Sequence, residues 1–166
     1  MTLDNTNLTA GALKATAKTG DLSVRNAEIN AAKDGITLTA EAADIDASSA
    51  KLTAKDELTL TAQNSITATD ASVTAASLTM TAETGKLDGS RLTATVADQA
   101  SIVAGDSVTL DNTELTAGAL TATATTGVLS VKDAEIKATK DGVTLTAKAS
   151  DIDASGVNLS AVGAAK

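Results

Sequence analysis

The amino-acid sequence predicts an all-β chain, a parallel β-helix (β-solenoid) of about 7–8 coils of 19–23 residues with three short strands in each coil. Three observations predict it. Residues 3–54 are written again as residues 110–161, displaced by 107 positions, and 37 of the 52 aligned positions are identical. Apolar residues alternate with Thr in runs such as Ile36-Thr37-Leu38-Thr39-Ala40, Leu58-Thr59-Leu60-Thr61-Ala62 and Val143-Thr144-Leu145-Thr146-Ala147, the period of a strand with one buried face. Turn residues (Gly, Asp, Asn, Ser, Lys) punctuate these runs in a recurring order. The differences between the two long copies agree with this reading. Most fall at turns or at every second strand residue (Asn7/Glu114, Lys14/Thr121, Lys18/Thr125, Asn30/Lys137, Glu41/Lys148), and the changes Ile36/Val143 and Ala50/Val157 keep an apolar residue. One face is held by packing while the other drifts in solvent.

The elements follow in order. The first coil reads Leu8 to Ala10, Leu13 to Ala17, a turn at Lys18-Thr19-Gly20, Leu22 to Val24, and a turn at Arg25-Asn26. The second reads Ile29 to Ala31, the turn Lys33-Asp34-Gly35, Ile36 to Ala40 and Ile45 to Ala47. Further coils are expected to start near Leu52, Val73, Leu92, Leu115 and Ile136, with a partial one near Val157. Between Thr95 and Ser107 the template fits poorly and the middle strand of that coil has no assigned place. Ala favours helix, but the Thr alternation and the Asp-Gly and Thr-Gly interruptions argue against one. Stacked at about 4.8 Å per coil, the array forms a rod very roughly 35 Å long. The chain forms one such segment over residues 1–166. Met1-Thr2-Leu3-Asp4-Asn5 aligns with Val108-Thr109-Leu110-Asp111-Asn112 inside the repeat. An excerpt of a longer array, continuing into further coils at both ends, is therefore expected.

Composition agrees. There is no Phe, Tyr, Trp, His, Cys or Pro, yet 43% of residues are hydrophobic, which suits a thin interior of Leu, Ile, Val and Ala better than a thick globular core. A formal net charge of -8 argues against nucleic acid, whose phosphates need a basic surface. Without Cys there are no disulfides, a composition that also fits a chain kept unfolded during export. No apolar run reaches transmembrane length, and the first residues do not read as a signal peptide.

Residues that could carry chemistry are few. Asp44-Ile45-Asp46 and its copy Asp151-Ile152-Asp153 place two carboxylates on one outer face. The pattern reads as a solvated face flanking a buried Ile, since paired catalytic carboxylates need unlike environments. The chain has no His or Cys for a metal cluster or a nucleophile–base pair. Arg25 and Arg91 alone could clamp an anion with two bonds, and neither sits in a glycine-rich loop. No catalytic, cofactor-binding or metal residues are expected, and no cofactor. The one candidate binding surface is a ladder of outward threonines, Thr37, Thr39, Thr59, Thr61, Thr79, Thr81, Thr121, Thr123, Thr144 and Thr146, broken in the first coil by Lys14 and in the fifth by the irregular stretch. Its spacing, about 7 Å along a strand and about 4.8 Å between coils, resembles the flat ice-binding face of some antifreeze solenoids. Thr is also an ordinary solvent-side residue of a parallel ladder.

The run from Gly118 to Gly127 (GALTATATTG), followed by Leu129-Ser130-Val131, Ala134-Glu135-Ile136, Asp141 to Ala147 and Asp151-Ile152-Asp153-Ala154, resembles the filamentous-haemagglutinin repeat of large exoproteins of Gram-negative bacteria. These include adhesins and the stalks of contact-dependent growth-inhibition toxins. The likeness covers nearly the whole chain and fails only near residues 95–107. It implies a right-handed parallel β-helix, secreted by the two-partner route through an outer-membrane transporter to the medium or the cell surface. It also implies a non-catalytic shaft, with any host or bacterial receptor engaged through regions outside these residues. The alternative expectation is a ligand-binding solenoid using its Thr-x-Thr face for ice or glycan.

Overall fold

The computed structural model describes all 166 residues. Every regular element is a strand, and the strands form three parallel sheets. The first sheet has eight strands, from Asn7–Ala10 to Asn158–Ala161, the second seven, from Leu13–Ala17 to Val143–Ala147, and the third seven two-residue strands, from Leu22–Ser23 to Ile152–Asp153. The chain visits the three in turn, so each circuit is one coil, and each strand pairs only with its equivalents one coil before and after. Seven coils carry all three strands, and an eighth begins at Asn158.

The period is narrower than the sequence suggests. In the first sheet the register partners run Leu8, Ile29, Leu52, Val73, Ala94, Leu115, Ile136, Leu159, with steps of 21 residues except for two steps of 23, from Ile29 to Leu52 and from Ile136 to Leu159. The corners explain both values. The two corners flanking the second sheet vary in length. The corner from the third sheet to the first is constant, seven residues separating Leu22 from Ile29 and Leu129 from Ile136. It carries the same constraint each time, one residue in the left-handed region, in the series Asn5, Asn26, Ser49, Asp70, Arg91, Asn112, Asp133 (φ between 51 and 57°) and Gly156 (φ 70°). Most of these turns are closed by a bond such as Ala27 N–H to Val24 O at 3.2 Å. Asn, Asp and Gly tolerate that conformation, whereas an ordinary L-residue is strained there. The exposed Ser49 makes no side-chain hydrogen bond, and its copy is Gly156. Ser49→Gly should therefore stabilise the protein by about 0.5–1 kcal/mol, relief of left-handed strain exceeding the added chain entropy, read as a rise in the denaturation midpoint.

The interior is a single cluster of 46 buried residues, all Ala, Val, Leu or Ile except Met80. The expected column Leu38, Leu60, Met80, Leu145 is present, with Ala15 before it and Ile102 and Ala122 between. Leu145 itself is only half-buried, because it lies in the last coil that carries a full second-sheet strand.

The fifth coil differs from expectation in two ways. Its first-sheet strand is Thr93–Val96, so Ala94, not Leu92, is the equivalent of Val73 and Leu115. The unplaced middle strand is Gln99–Ala104, with Ala100, Ile102 and Ala104 inward. The cause is shared volume. Gly89 and Ala94 stand at positions that larger residues fill in neighbouring coils, and Leu92 stands where Ala71 does and occupies the space. A Cβ on Gly89 would meet the Leu92 and Leu110 side chains. Likewise Val96 offsets Ala100, in the rows of Ala75 and Leu78.

Candidate functional site

The alternation that buries Leu and Ala on the second sheet turns the intervening residues outward, and the parallel register aligns them in two rows. One row runs Lys14, Thr37, Thr59, Thr79, Ser101, Thr121, Thr144, and the other Thr16, Thr39, Thr61, Thr81, Val103, Thr123, Thr146. All ten threonines of the expected ladder lie in this grid, half-exposed or, for Thr144, exposed. Two further members were not anticipated. Thr16 continues the second row under Lys14, and Ser101 continues the first through the irregular coil, so only Val103 interrupts the fifth coil. Along this sheet the steps are 23, 22, 20, 22, 20 and 23 residues, so no single period in the sequence finds them and the register has to be seen.

Within the grid the single hydrogen bond made by a hydroxyl runs from Thr59 Oγ1 to Glu57 Oε1, 2.8 Å. Lys14 is the one charged member. The grid therefore offers a repeating set of hydroxyl and methyl groups, with the Glu57 carboxylate the one acidic group bonded to it.

The Asp pairs do something else. They lie on the third sheet, where a shallow cleft of about 340 Å³ is lined by Asp21, Ser23, Arg25, Asp44, Asp46 and Ser65 among others. Asp46 Oδ1 accepts from the Ser48 amide at 3.0 Å and the Ser48 hydroxyl at 2.6 Å, closing its own turn. Asp44 Oδ1 accepts from the Ser65 amide of the next coil at 2.8 Å. Asp153 repeats the first pattern with Ser155. These carboxylates lock corners, and no three acidic residues converge in a metal-binding cluster. Both arginines are engaged in the same way. Arg25 donates from Nη2 to Asp4 Oδ2 at 2.8 Å, and Arg91 grips both oxygens of Asp70, one coil away. Each guanidinium that might take an anion already holds one.

The electrostatics follow these contacts. The Ser23 hydroxyl, then the Arg25 guanidinium and amide, hold the Asp4 carboxyl below the ordinary range. Arg91 does the same for Asp70, and Ser155 followed by Lys132 for Asp153. A carboxyl whose folded pKa is lowered adds stability above its unfolded pKa and loses it as pH falls through the folded value. The difference in Tm between the wild type and Asp70→Asn should therefore be full at neutral pH and close on acidification below the ordinary carboxylate range. It should also shrink at high salt, because the pair is exposed. A pH-independent difference would mean the ion pair contributes nothing.

Compared with known proteins, the chain matches no family model, no curated protein and no solved structure at a significant level.

Proposed function

We propose that this chain is a length of non-catalytic shaft from a secreted or cell-surface bacterial filament, an adhesin or a toxin-delivery stalk. The observation that carries the reading is the uniformity of the coil. The same three-strand circuit recurs from Asn7 to Ala161 with its register kept, and polar side chains at its corners, such as Asp4, Asp44, Asp70 and Asp111, join one coil to the next. Such an array gains length with each coil without needing a new core, which is the property a spacer requires. The likeness to the filamentous-haemagglutinin repeat, which rests on the residues themselves, supplies the setting: two-partner secretion, a transporter in the outer membrane, and a receptor bound elsewhere on the filament. The test is to fuse the chain behind a two-partner export domain in a Gram-negative host. It should reach the surface folded and protease-resistant, and excising Ser72 through Leu92, one period, should shorten the rod by one coil and leave export intact. Retention inside the cell, or an enzymatic activity residing in the chain, overturns the reading.

The hydroxyl grid supports a second reading, ice binding, because twelve of its fourteen positions carry a Thr or Ser and eleven of those hydroxyls are left without a bond inside the protein. Thermal hysteresis that disappears in Thr79→Lys would establish it, and its absence in the wild type would remove it.

A further inference from the structure

We infer that Asp34 and Asp141 are sites of spontaneous covalent modification, where the folded chain closes on the following glycine and reopens as isoaspartate, while a third Asp-Gly pair, Asp88-Gly89, is locked against it. The inference rests on how three corners are hydrogen-bonded and is independent of the shaft reading.

The chemistry needs only water. The main-chain nitrogen of the glycine gives up its proton and attacks the aspartate Cγ. An N–Cγ bond forms and a carboxyl oxygen leaves as water, which produces a five-membered succinimide. Water then adds to one of the two ring carbonyls. Opening at Cγ restores aspartate. Opening at the former main-chain carbonyl breaks the original peptide bond and routes the chain through Cβ and Cγ, one carbon longer. Ring closure therefore requires a nitrogen without another bond, a carboxylate free to turn toward it, and no Cβ on the following residue to crowd the ring.

The chain has three Asp-Gly pairs, at 34–35, 88–89 and 141–142, and only their surroundings tell them apart. The Asp34 corner lies in the second coil, with the first on one side and the third on the other. The Lys33 and Asp34 amides both donate to Gly11 O, at 3.0 and 2.8 Å, and Gly35 O accepts from the Leu13 amide at 3.1 Å. The Gly35 N–H between these bonds donates to no group of the protein, and Gly35 is half-exposed beside an exposed Asp34. Asp141 repeats the arrangement. The Lys140 and Asp141 amides donate to Gly118 O, both at 2.9 Å, Gly142 O accepts from the Leu120 amide at 3.2 Å, and the Gly142 N–H is again unused. Packing holds both glycines in place. A Cβ on Gly35 would be driven into the Glu57 carbonyl oxygen, and one on Gly142 into the Ala164 carbonyl oxygen. The fold itself demands the residue that makes the preceding aspartate reactive.

Asp88-Gly89 has the same two residues and the opposite wiring. Gly89 is buried, and its N–H donates to Thr109 O at 2.8 Å. Asp88 Oδ1 accepts from the Ser90 amide at 2.9 Å and from the Ser90 hydroxyl at 2.6 Å. Nitrogen and carboxylate are both occupied, so closure waits for a local opening that breaks all three bonds. That requirement makes the reactive arrangement at least about tenfold rarer.

The experiment ages the folded wild type in warm, mildly acidic buffer, where part of each carboxyl is protonated and can leave as water. A parallel sample ages in concentrated guanidinium chloride. Peptide mapping with electron-transfer fragmentation reads isoaspartate at each pair, and methyl uptake from S-adenosylmethionine through an isoaspartyl-specific methyltransferase reads the total. In the folded protein Asp34 and Asp141 should isomerise at least about tenfold faster than Asp88, and in guanidinium the three rates should converge. Asp34→Glu and Asp141→Glu keep the charge but would need a slower six-membered closure, so each should lose the signal at its own site and leave the melting of fresh protein unchanged. Asp88 isomerising as fast as Asp34 in the folded protein overturns the inference. An Asp34 that isomerises only in guanidinium overturns it as well. A contrast that persists in guanidinium does the same, since local sequence rather than the fold would then be its cause.

Discussion

Leu60→Ala is expected to cost about 2–5 kcal/mol, the range for a buried Leu truncated in a core that cannot collapse around it. Leu60 is 1% exposed and lies mid-array between Leu38 and Met80 in the same inward column. The parallel ladder keeps successive coils about 4.8 Å apart, so the rows above and below cannot move in to fill the space. The neighbouring Thr59 faces outward, and Thr59→Ser keeps the hydroxyl that donates to Glu57. That change should stay within about 0.5 kcal/mol, as surface changes do. Denaturant midpoints of the two variants measure the contrast, and equal shifts would mean that the faces are assigned wrongly.

Gly118→Ala should cost about 1–3 kcal/mol, the range for overpacking, although its backbone is not left-handed. A Cβ there would be driven into the Asp98 carbonyl oxygen of the preceding coil, with the Ala97 carbonyl oxygen at 3.0 Å. Both obstacles are backbone and are held by the ladder: the Ala119 amide donates to that same Asp98 oxygen at 2.9 Å. Gly11 is the copy of Gly118 at the same corner of the first coil, where an added Cβ meets only the Lys33 side chain, at 3.7 Å. Gly11→Ala should accordingly be silent in the monomer, within about 0.5 kcal/mol. The pair isolates one cause, the presence of a coil underneath. Equal effects at the two glycines would show that chain entropy, not the approach of the preceding coil, dominates.

Much of this was legible in the sequence. Period-two alternation in stretches such as Ile36 to Ala40 already determines strand, inner face and outer face, since one residue of slip would turn every Leu into solvent. The duplication of residues 3–54 determines that the circuit repeats, and the absence of His and Cys limits the chemistry open to the chain. The turn at Arg25-Asn26 could be placed because Asn accepts a left-handed backbone. Tertiary structure decided the rest, for two physical reasons. Interior volume is shared between rows and coils, so Leu92 can fill for Gly89 and Ala94, and Ile102 can stand where Leu60 and Met80 stand. Read alone, the fifth coil breaks a pattern that the packed array satisfies. Ladder and corner bonds also join residues about one coil apart in sequence, beyond the reach of any local motif. That is why Asp44 proved to be a corner lock, why Arg25 and Arg91 were already paired, and why Thr16 and Ser101 joined the hydroxyl grid only once register was known.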